Sequence, residues 1–540
     1  MRGAWQRLAA IVHAATAVVV AAETDESCSA TPARREKIII IGAGMSGVAS
    51  ARALKDEADV LILEAQSRIG GRLRSDRRFG PPVELGAVWI HQAKNNILSE
   101  FATRFGCGLK EHHHELHDPV YTEDGQRIPT ATMMEAHQRL RQALLHAIHQ
   151  GRSRAHPSSS MLELLPSHAF DFGPGHDGEL QRCAFDFTLF RDIVSDYYAE
   201  LAQISSKYFG NDLFGGTGKD HILPGGYDCI LHGLARGLNV QLDTVVTAVR
   251  WGTDGATVTT ASGDELAADR VIVTVPLGVL KASIASPAPS VAAPTVAGRT
   301  GAIDFEPALP PRMREAISRL GMSDVVRLAL KFNSTFWPSD SHFINLVRGG
   351  CTHHHRQSSR HAYLVNVANY SGQSILLMDS AASGAQRLAA MSDAEAIDDV
   401  VASLRRAFPE APAPEQATLV RWSEEPFARG GVSYIATSST PRDQWSIETP
   451  LANGRLIFAG EHTSVLHMGT VHGALVAGWQ AAAHVRAAVA NGTTEPRVYE
   501  SFLRLSRGQR RYTDGYLEEL IEAVTEAGDA TEFWRETGAI

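Results

Sequence analysis

Cysteine is scarce in this sequence: five residues in 540, with no CxxC pair. Cys28, Cys107, Cys183, Cys229 and Cys351 are too few and too scattered for a disulfide scaffold. The missing CxxC argues against a structural zinc site, and the odd count leaves at least one thiol unpaired unless it pairs with another chain. Charge of one sign is also lacking. Lys and Arg number 51 against 60 Asp and Glu, and the net charge of −9 argues against a nucleic-acid partner. Beyond the first 22 residues no segment is long and apolar enough to span a bilayer. What is present is an ordinary globular composition, 44% hydrophobic and 21% charged. That suffices for a large core, and the length suggests two domains. We see no internal repeat.

Histidine runs at His112–His114 and His353–His355 raise the question of a metal. The segment HELH at 114–117 is one residue short of HExxH, so it cannot put two imidazoles one helical turn apart. Both runs read as solvated loops, and no metal site is expected.

The N-terminus carries Arg2 and Arg7, then an acid-free, mostly apolar run from Leu8 to Ala22. This reads as a signal peptide over residues 1–22, with Val20 at the −3 position, followed by a polar linker over 23–36. The expected destination is the secretory pathway or the exterior. A mitochondrial presequence is the alternative. Sequons at Asn333, Asn369 and Asn491 are compatible with secretion.

Residues 37–65, KIIIIGAGMSGVASARALKDEADVLILEA, read as strand, glycine turn, helix, strand. Gly42, Gly44 and Gly47 form G-x-G-x-x-G. The first glycine permits the turn and the second lets the backbone approach a pyrophosphate. The third lets the helix, opening at Met45 and Ser46, pack on the strand. Glu64 ends the second strand, 22 residues past Gly42, where a carboxylate can hold the ribose hydroxyls of a dinucleotide. Gly71 and Arg72 in EAQSRIGGRL add a second backbone loop and a cation near the phosphates. Residues 281–302 are rich in Ala, Pro and Ser and read as a surface insertion, and 151–180 as a further loop. An amphipathic helix is expected near YLEELIEAVTEA in the tail.

The EAQSRIGGRL segment resembles the FAD-binding segment of the flavin amine oxidase family, which includes monoamine, polyamine and spermine oxidases and lysine-specific histone demethylases. The resemblance runs from about residue 37 to 500 through VELGAVWIHQ (83–92), LPGGYDCILHGLARGL (223–238), VVTAVRW (245–251), VIVTVPLGVLK (271–281), RWSEEPFARGGVSY (421–434) and LIFAGEHTSVLHMGTVHGALVAGWQAA (456–482). It implies an α/β fold, mixed with α+β features. A Rossmann-like FAD-binding domain would be assembled from 37–115, 218–303 and 417–500. An interleaved substrate domain, 116–217 and 304–416, would be built on a mixed β-sheet flanked by helices. Residues 501–540 would form a tail. It also implies that Gly86, Ala87 and Trp89 lie beneath the flavin and that Val246 meets the adenine. Trp422 would pack near the flavin, Gly460 and Glu461 would bind its ribitol–phosphate region, and Val471 would offer a backbone amide at a helix N-terminus. No cysteine occurs between Arg421 and Tyr434, so the FAD is expected to be non-covalent.

The resemblance further implies hydride removal beside an amine nitrogen, giving an imine that water hydrolyses, with O2 reduced to hydrogen peroxide. Partners would be a small amine and O2. The family usually has a lysine ten residues before the Trp of an FW pair. Counting back from Trp337 reaches Arg327 rather than Lys331. Arginine can hold a water but cannot share a proton as lysine can. The family's two aromatic cage positions fall on Val432 and Thr470, which argues against a monoamine oxidase. For a polyamine, Glu200 and His91 are the candidate active-site residues. Other readings are an L-amino-acid oxidase using Arg327 for the substrate carboxylate, and an FAD-binding protein with weakened turnover.

Overall fold

A computed structural model describes residues 34–94, 96–112, 118–153, 156, 158–210, 219–285, 301–348, 361–465 and 467–491. The expected signal peptide, most of the linker, the histidines from His113 and at 353–355, residues 286–300 of the insertion and the tail helix lie outside the described residues.

The strand–turn–helix–strand unit forms as Lys37–Ile41, Met45–Leu54 and Asp59–Leu63. Its strands lie in a parallel sheet of order Leu456–Phe458, Arg270–Val273, Lys37–Ile41, Asp59–Leu63, Val240–Gln241. The β-branched and aliphatic runs are continuous because both faces are covered. Ile39, Ile41, Val271, Val273, Leu456 and Phe458 enter one core. Ile38, Ile40, Ile272 and Ile457 enter the other, beneath the helices Met45–Leu54 and Val471–Asn491.

Gly42 makes the turn at φ +102°, a backbone region that side-chain-bearing residues avoid. A Cβ on Gly47 would lie 2.0 Å from the Gly42 carbonyl oxygen, so the helix can sit this close only on a glycine. Strands Val246–Gly252, Gly255–Thr260 and Glu265–Ala268 form an antiparallel meander, and Asp304–Glu306 joins its edge in parallel.

The second large sheet has six strands: Gln416–Arg421, Val325–Lys331, Ile375–Ala381, Ala362–Asn366, Phe343–Leu346 and Val120–Tyr121. The sequence VVRLALKF (325–332) alternates, with Val326, Leu328, Leu330 and Phe332 against the less apolar Arg327, Ala329 and Lys331, and that period-two pattern holds along Val325–Lys331. Val326, Leu328 and Leu330, with Phe332 just beyond, enter a core under the helices Ala382–Ala389 and Asp393–Ala407. Val325 and Ala329 enter the opposite core, and Arg327 shares their face. The less apolar face is therefore inside the protein. Gln416–Arg421 belongs to this sheet, although the sequence reading drew a segment boundary at 416/417.

Two loop expectations are corrected. The helix Leu277–Ala285 occupies the start of the Ala/Pro/Ser-rich stretch. Within 151–180 lie the helix Met161–Leu164, capped by Ser160, a 3-10 turn at Ser167–Phe170, and a helix starting at Gly175. Ser, Pro and Gly here act as helix starts rather than as loop residues.

A disulfide joins Cys107 to Cys229 across 122 residues, with Cα atoms 5.7 Å apart. The helix Ile97–Phe105, ended by left-handed Gly106, delivers Cys107 to the first turn of Asp228–Ala235. Scattered spacing could not reveal this pair because helix packing makes it.

Gly47→Ala is expected to lower unfolding stability by about 1–3 kcal/mol through overpacking, read from denaturant melts. Replacing Cys107 and Cys229 together by serine is expected to cost about 2–4 kcal/mol in the same assay. On reduction the double variant is expected to release two fewer titratable thiols than the unsubstituted protein, which checks the pairing.

Candidate active site

A cavity of about 390 Å³ opens at the carboxyl ends of the parallel strands and against the inner face of the six-stranded sheet. Open α/β sheets place ligands at this edge. Its floor at one end is Gly42, Gly44, Met45, Ser46, Gly70 and Gly71. Cβ atoms on Gly44 and Gly71 would meet nothing nearer than 4.0 Å, so these two glycines leave room for a ligand rather than for protein. Gly44 caps the helix without a side-chain bond, and the Ser46 Oγ is buried without a partner among the described residues. A backbone cradle at a helix N-terminus with an idle buried donor fits a pyrophosphate. Gly47 does not line the cavity; it serves helix packing.

Glu64 lines the cavity beside Val246. Its carboxylate oxygens accept from the amides of Ala43 at 2.7 Å and Gln66 at 3.0 Å, which set its orientation. Burial raises its pKa against those bonds.

Arg72 and Glu461 form an ion pair at 2.8 Å, and Arg72 also donates to the Gly431 carbonyl. Glu461 accepts from Ser433 and from the Gly469 amide. Burial works against its charge, but Arg72, His462 and Ser433 outweigh it and hold the carboxyl below its ordinary range. Gly86, Ala87, Trp89, Trp422, Gly460 and Val471 also line the cavity. Trp422 is fixed by its indole N–H to the Leu85 carbonyl at 2.9 Å.

Val471 begins the helix Val471–Asn491, and Thr470 caps it by accepting from the Gly473 amide at 2.9 Å. The N-terminus of a 21-residue helix thus stands in the wall, a place that favours negative charge. Val432 and Thr470 line the wall as the sequence reading placed them. Aromatic surface comes instead from Trp89, Tyr197, Tyr198 and Tyr434.

Arg327 lines the cavity and is 4% exposed. Its Nη2 pairs with Asp379 at 2.9 Å. Burial opposes the guanidinium charge, but Asp379 outweighs it and raises the pKa further. Lys331 lies farther along the strand, half-buried, and donates to the Phe79 carbonyl. It does not line the cavity.

Among the other candidates, His91 lines the cavity with its Nδ1 2.8 Å from Asp220. Burial favours the neutral ring, but Asp220 and Asp196 reverse this and raise its pKa. Asp192 and Asp196 also line the wall. Asp196 is exposed toward the cavity space, yet the protein around it, reinforced by Asp192 and Asp220, pushes its carboxyl up to about 7.

Glu200 is the correction. It does not line the cavity; its carboxylate accepts from the Ser383 hydroxyl at 2.6 Å. Positions 192, 196 and 200 would share one face of a continuous helix. The chain instead makes a π-turn at Phe190–Val194, a short turn at Ser195–Tyr197, and a left-handed residue at Tyr198 (φ 50°). The face ends there, and Glu200 leaves it. The i, i+4 spacing of Asp192 and Asp196 was the available signal for the residues the sequence reading missed.

A family model described as flavin containing amine oxidoreductase matches residues 45–486. The chain is 30% identical over 481 residues to polyamine oxidase 4 of Oryza sativa subsp. japonica, covering 86% of this chain and 90% of that protein. It is 30% identical to polyamine oxidase 2 of Arabidopsis thaliana, covering 84% and 88%. A solved putrescine oxidase superimposes with a TM-score of 0.65 at 20% identity, over 84% of this chain and 99% of that one, which bears on the fold. The cradle at Gly44 and Gly71, the oriented Glu64 and the helix N-terminus at Val471 suit FAD. The chain belongs to the flavin containing amine oxidoreductase family, and it is an FAD-dependent enzyme.

Proposed function

We propose that the chain oxidises a C–N bond of a polyamine or a related amine to an imine, hydrolysed to an aldehyde, with O2 reduced to hydrogen peroxide. Bound FAD supplies the two-electron acceptor. The chain's own residues orient the amine and exclude competing reactions. Asp192, Asp196 and His91 carry the reading. Asp196 and, one helical turn away, Asp192, which also pairs with Arg191 at 2.7 Å, stand in a wall otherwise rich in aromatics and suit a substrate with more than one ammonium group. Tyr197, Tyr198 and Trp89 contribute aromatic surface to the same wall, which suits its methylene chain.

The amino-acid reading is less favoured. Among the described residues the arginines lining the cavity are Arg72 and Arg327, and the charge of each is balanced by a buried carboxylate, Glu461 and Asp379. A substrate carboxylate would add negative charge to a cavity that Asp192 and Asp196 already make acidic.

We also propose entry into the secretory pathway. The apolar run at Leu8–Ala22 and the Cys107–Cys229 disulfide support it, since such bonds persist in oxidising compartments.

Anaerobic mixing of the holoenzyme with spermine or spermidine is expected to bleach the flavin. Bleaching by amino acids alone, or by no member of a broad amine panel, would overturn the polyamine reading. The pH dependence has a defined sign. Asp196 attracts an ammonium once ionised, above about pH 7, and His91 stops repelling it once neutral. KM for a diamine should therefore fall as pH rises through about 7. Asp196→Asn should raise KM by about tenfold and flatten that limb.

A further inference from the structure

Arg327, Asp379 and Tyr363 stand side by side on three adjacent strands of the six-stranded sheet. Asp379 Oδ2 accepts from Arg327 Nη2 at 2.9 Å, from the Tyr363 hydroxyl at 2.9 Å, and from the Tyr198 hydroxyl. Asp379 is 1% exposed and does not line the cavity, whereas Arg327 and Tyr198 do. The Nε and Nη1 of Arg327 are buried without a hydrogen-bond partner among the described residues.

Folding alone does not account for this row. Its neighbours on the same face, Val325 and Ala329, are apolar, and an apolar residue at 327 would avoid desolvating a charge. One of the guanidinium's three nitrogens is spent on Asp379, and the other two are buried without a partner among the described residues, on a side chain that lines the cavity. Idle buried donors cost stability unless something bound supplies an acceptor.

The position identifies the end of the cofactor concerned. Glu64 and Val246 would hold the adenosine end and Gly44 the pyrophosphate, which leaves the wall at Trp422 and Val471 for the flavin ring. Trp422 donates its backbone N–H to the Val325 carbonyl at 3.0 Å, two residues from Arg327.

We propose that Asp379 is the positioning residue of the redox end: it holds Arg327 so that the unspent guanidinium donors stabilise negative charge on the bound flavin. The same carboxylate, through Tyr198, ties this end to the segment that carries Asp192 and Asp196. Arg327 is thus a donor to the cofactor with its charge balanced from behind, rather than a receptor for a substrate carboxylate.

Sulfite titration of the holoenzyme tests this without any amine, so its outcome is separable from the polyamine reading. The sulfur lone pair of sulfite forms a bond to oxidised flavin and leaves the ring anionic, and the loss of flavin absorbance reports the equilibrium. Arg327→Met is expected to weaken sulfite affinity by about tenfold or more, with Arg327→Lys intermediate. Asp379→Leu, which removes the acceptor, should weaken it as Arg327→Met does. Asp379→Asn keeps an acceptor oxygen and removes the counter-charge, so it should restore affinity to at least the unsubstituted level. If Arg327→Met leaves sulfite affinity within about twofold, the assignment of Arg327 is wrong. If Asp379→Leu lowers thermal stability with sulfite affinity unchanged, Asp379 is structural only. Should Asp379→Leu fail to fold, Asp379→Asn decides: affinity falling with that variant also overturns the proposal.

Discussion

A charge inside a protein must be matched, and this molecule's cavity is built around that requirement. An unpaired buried ion costs more than the fold can supply. Arg72 therefore meets Glu461, and Arg327 meets Asp379, at 2.8 and 2.9 Å. Each pair places one partner on an element far along the chain from the other. Pairing fixes where the elements stand, and the cavity is the space left between them. The Arg72–Glu461 pair also leaves Glu461 an oxygen for Ser433 and the Gly469 amide, which sets the approach to the helix at Val471.

The acidic wall shows how local backbone geometry selects among equivalent side chains. Asp192, Asp196 and Glu200 recur at i, i+4 and look interchangeable along the chain. The π-turn and the left-handed Tyr198 end the helix between the second and the third. Two acids face the cavity and one turns to Ser383. Tyr198, at the break, carries the hydroxyl that reaches Asp379. One irregular residue thus separates a structural carboxylate from the wall and joins the wall to the sheet.

Much of the cofactor half was legible because its signals are local. A glycine turn, the helix after it and the acid ending the next strand need only a few residues of context. The candidates Gly42, Gly44, Glu64, Arg72 and Glu461 all lie on the cavity wall. The alternation along Val325–Lys331 was equally readable, since a strand's side chains change face at every residue. Less was legible where several elements converge. Asp379 carries no motif, and its place beside Arg327 and Tyr363 is a matter of strand register. The Cys107–Cys229 pair depends on how two helices pack.

By itself the sequence determined the dinucleotide turn and the alternating strand. These follow from chain geometry over a few residues: the turn at Gly42, the close helix at Gly47, and a period of two along a strand. The choice of Arg327 over Lys331 came from the family resemblance, through the spacing to Trp337. Tertiary structure alone decided what that cation is bound to, which acids face the substrate space, and that both faces of the Val325–Lys331 strand are buried. Those outcomes are set by register and by the packing of segments far apart in the chain, where burial obliges each charge to find a counter-charge.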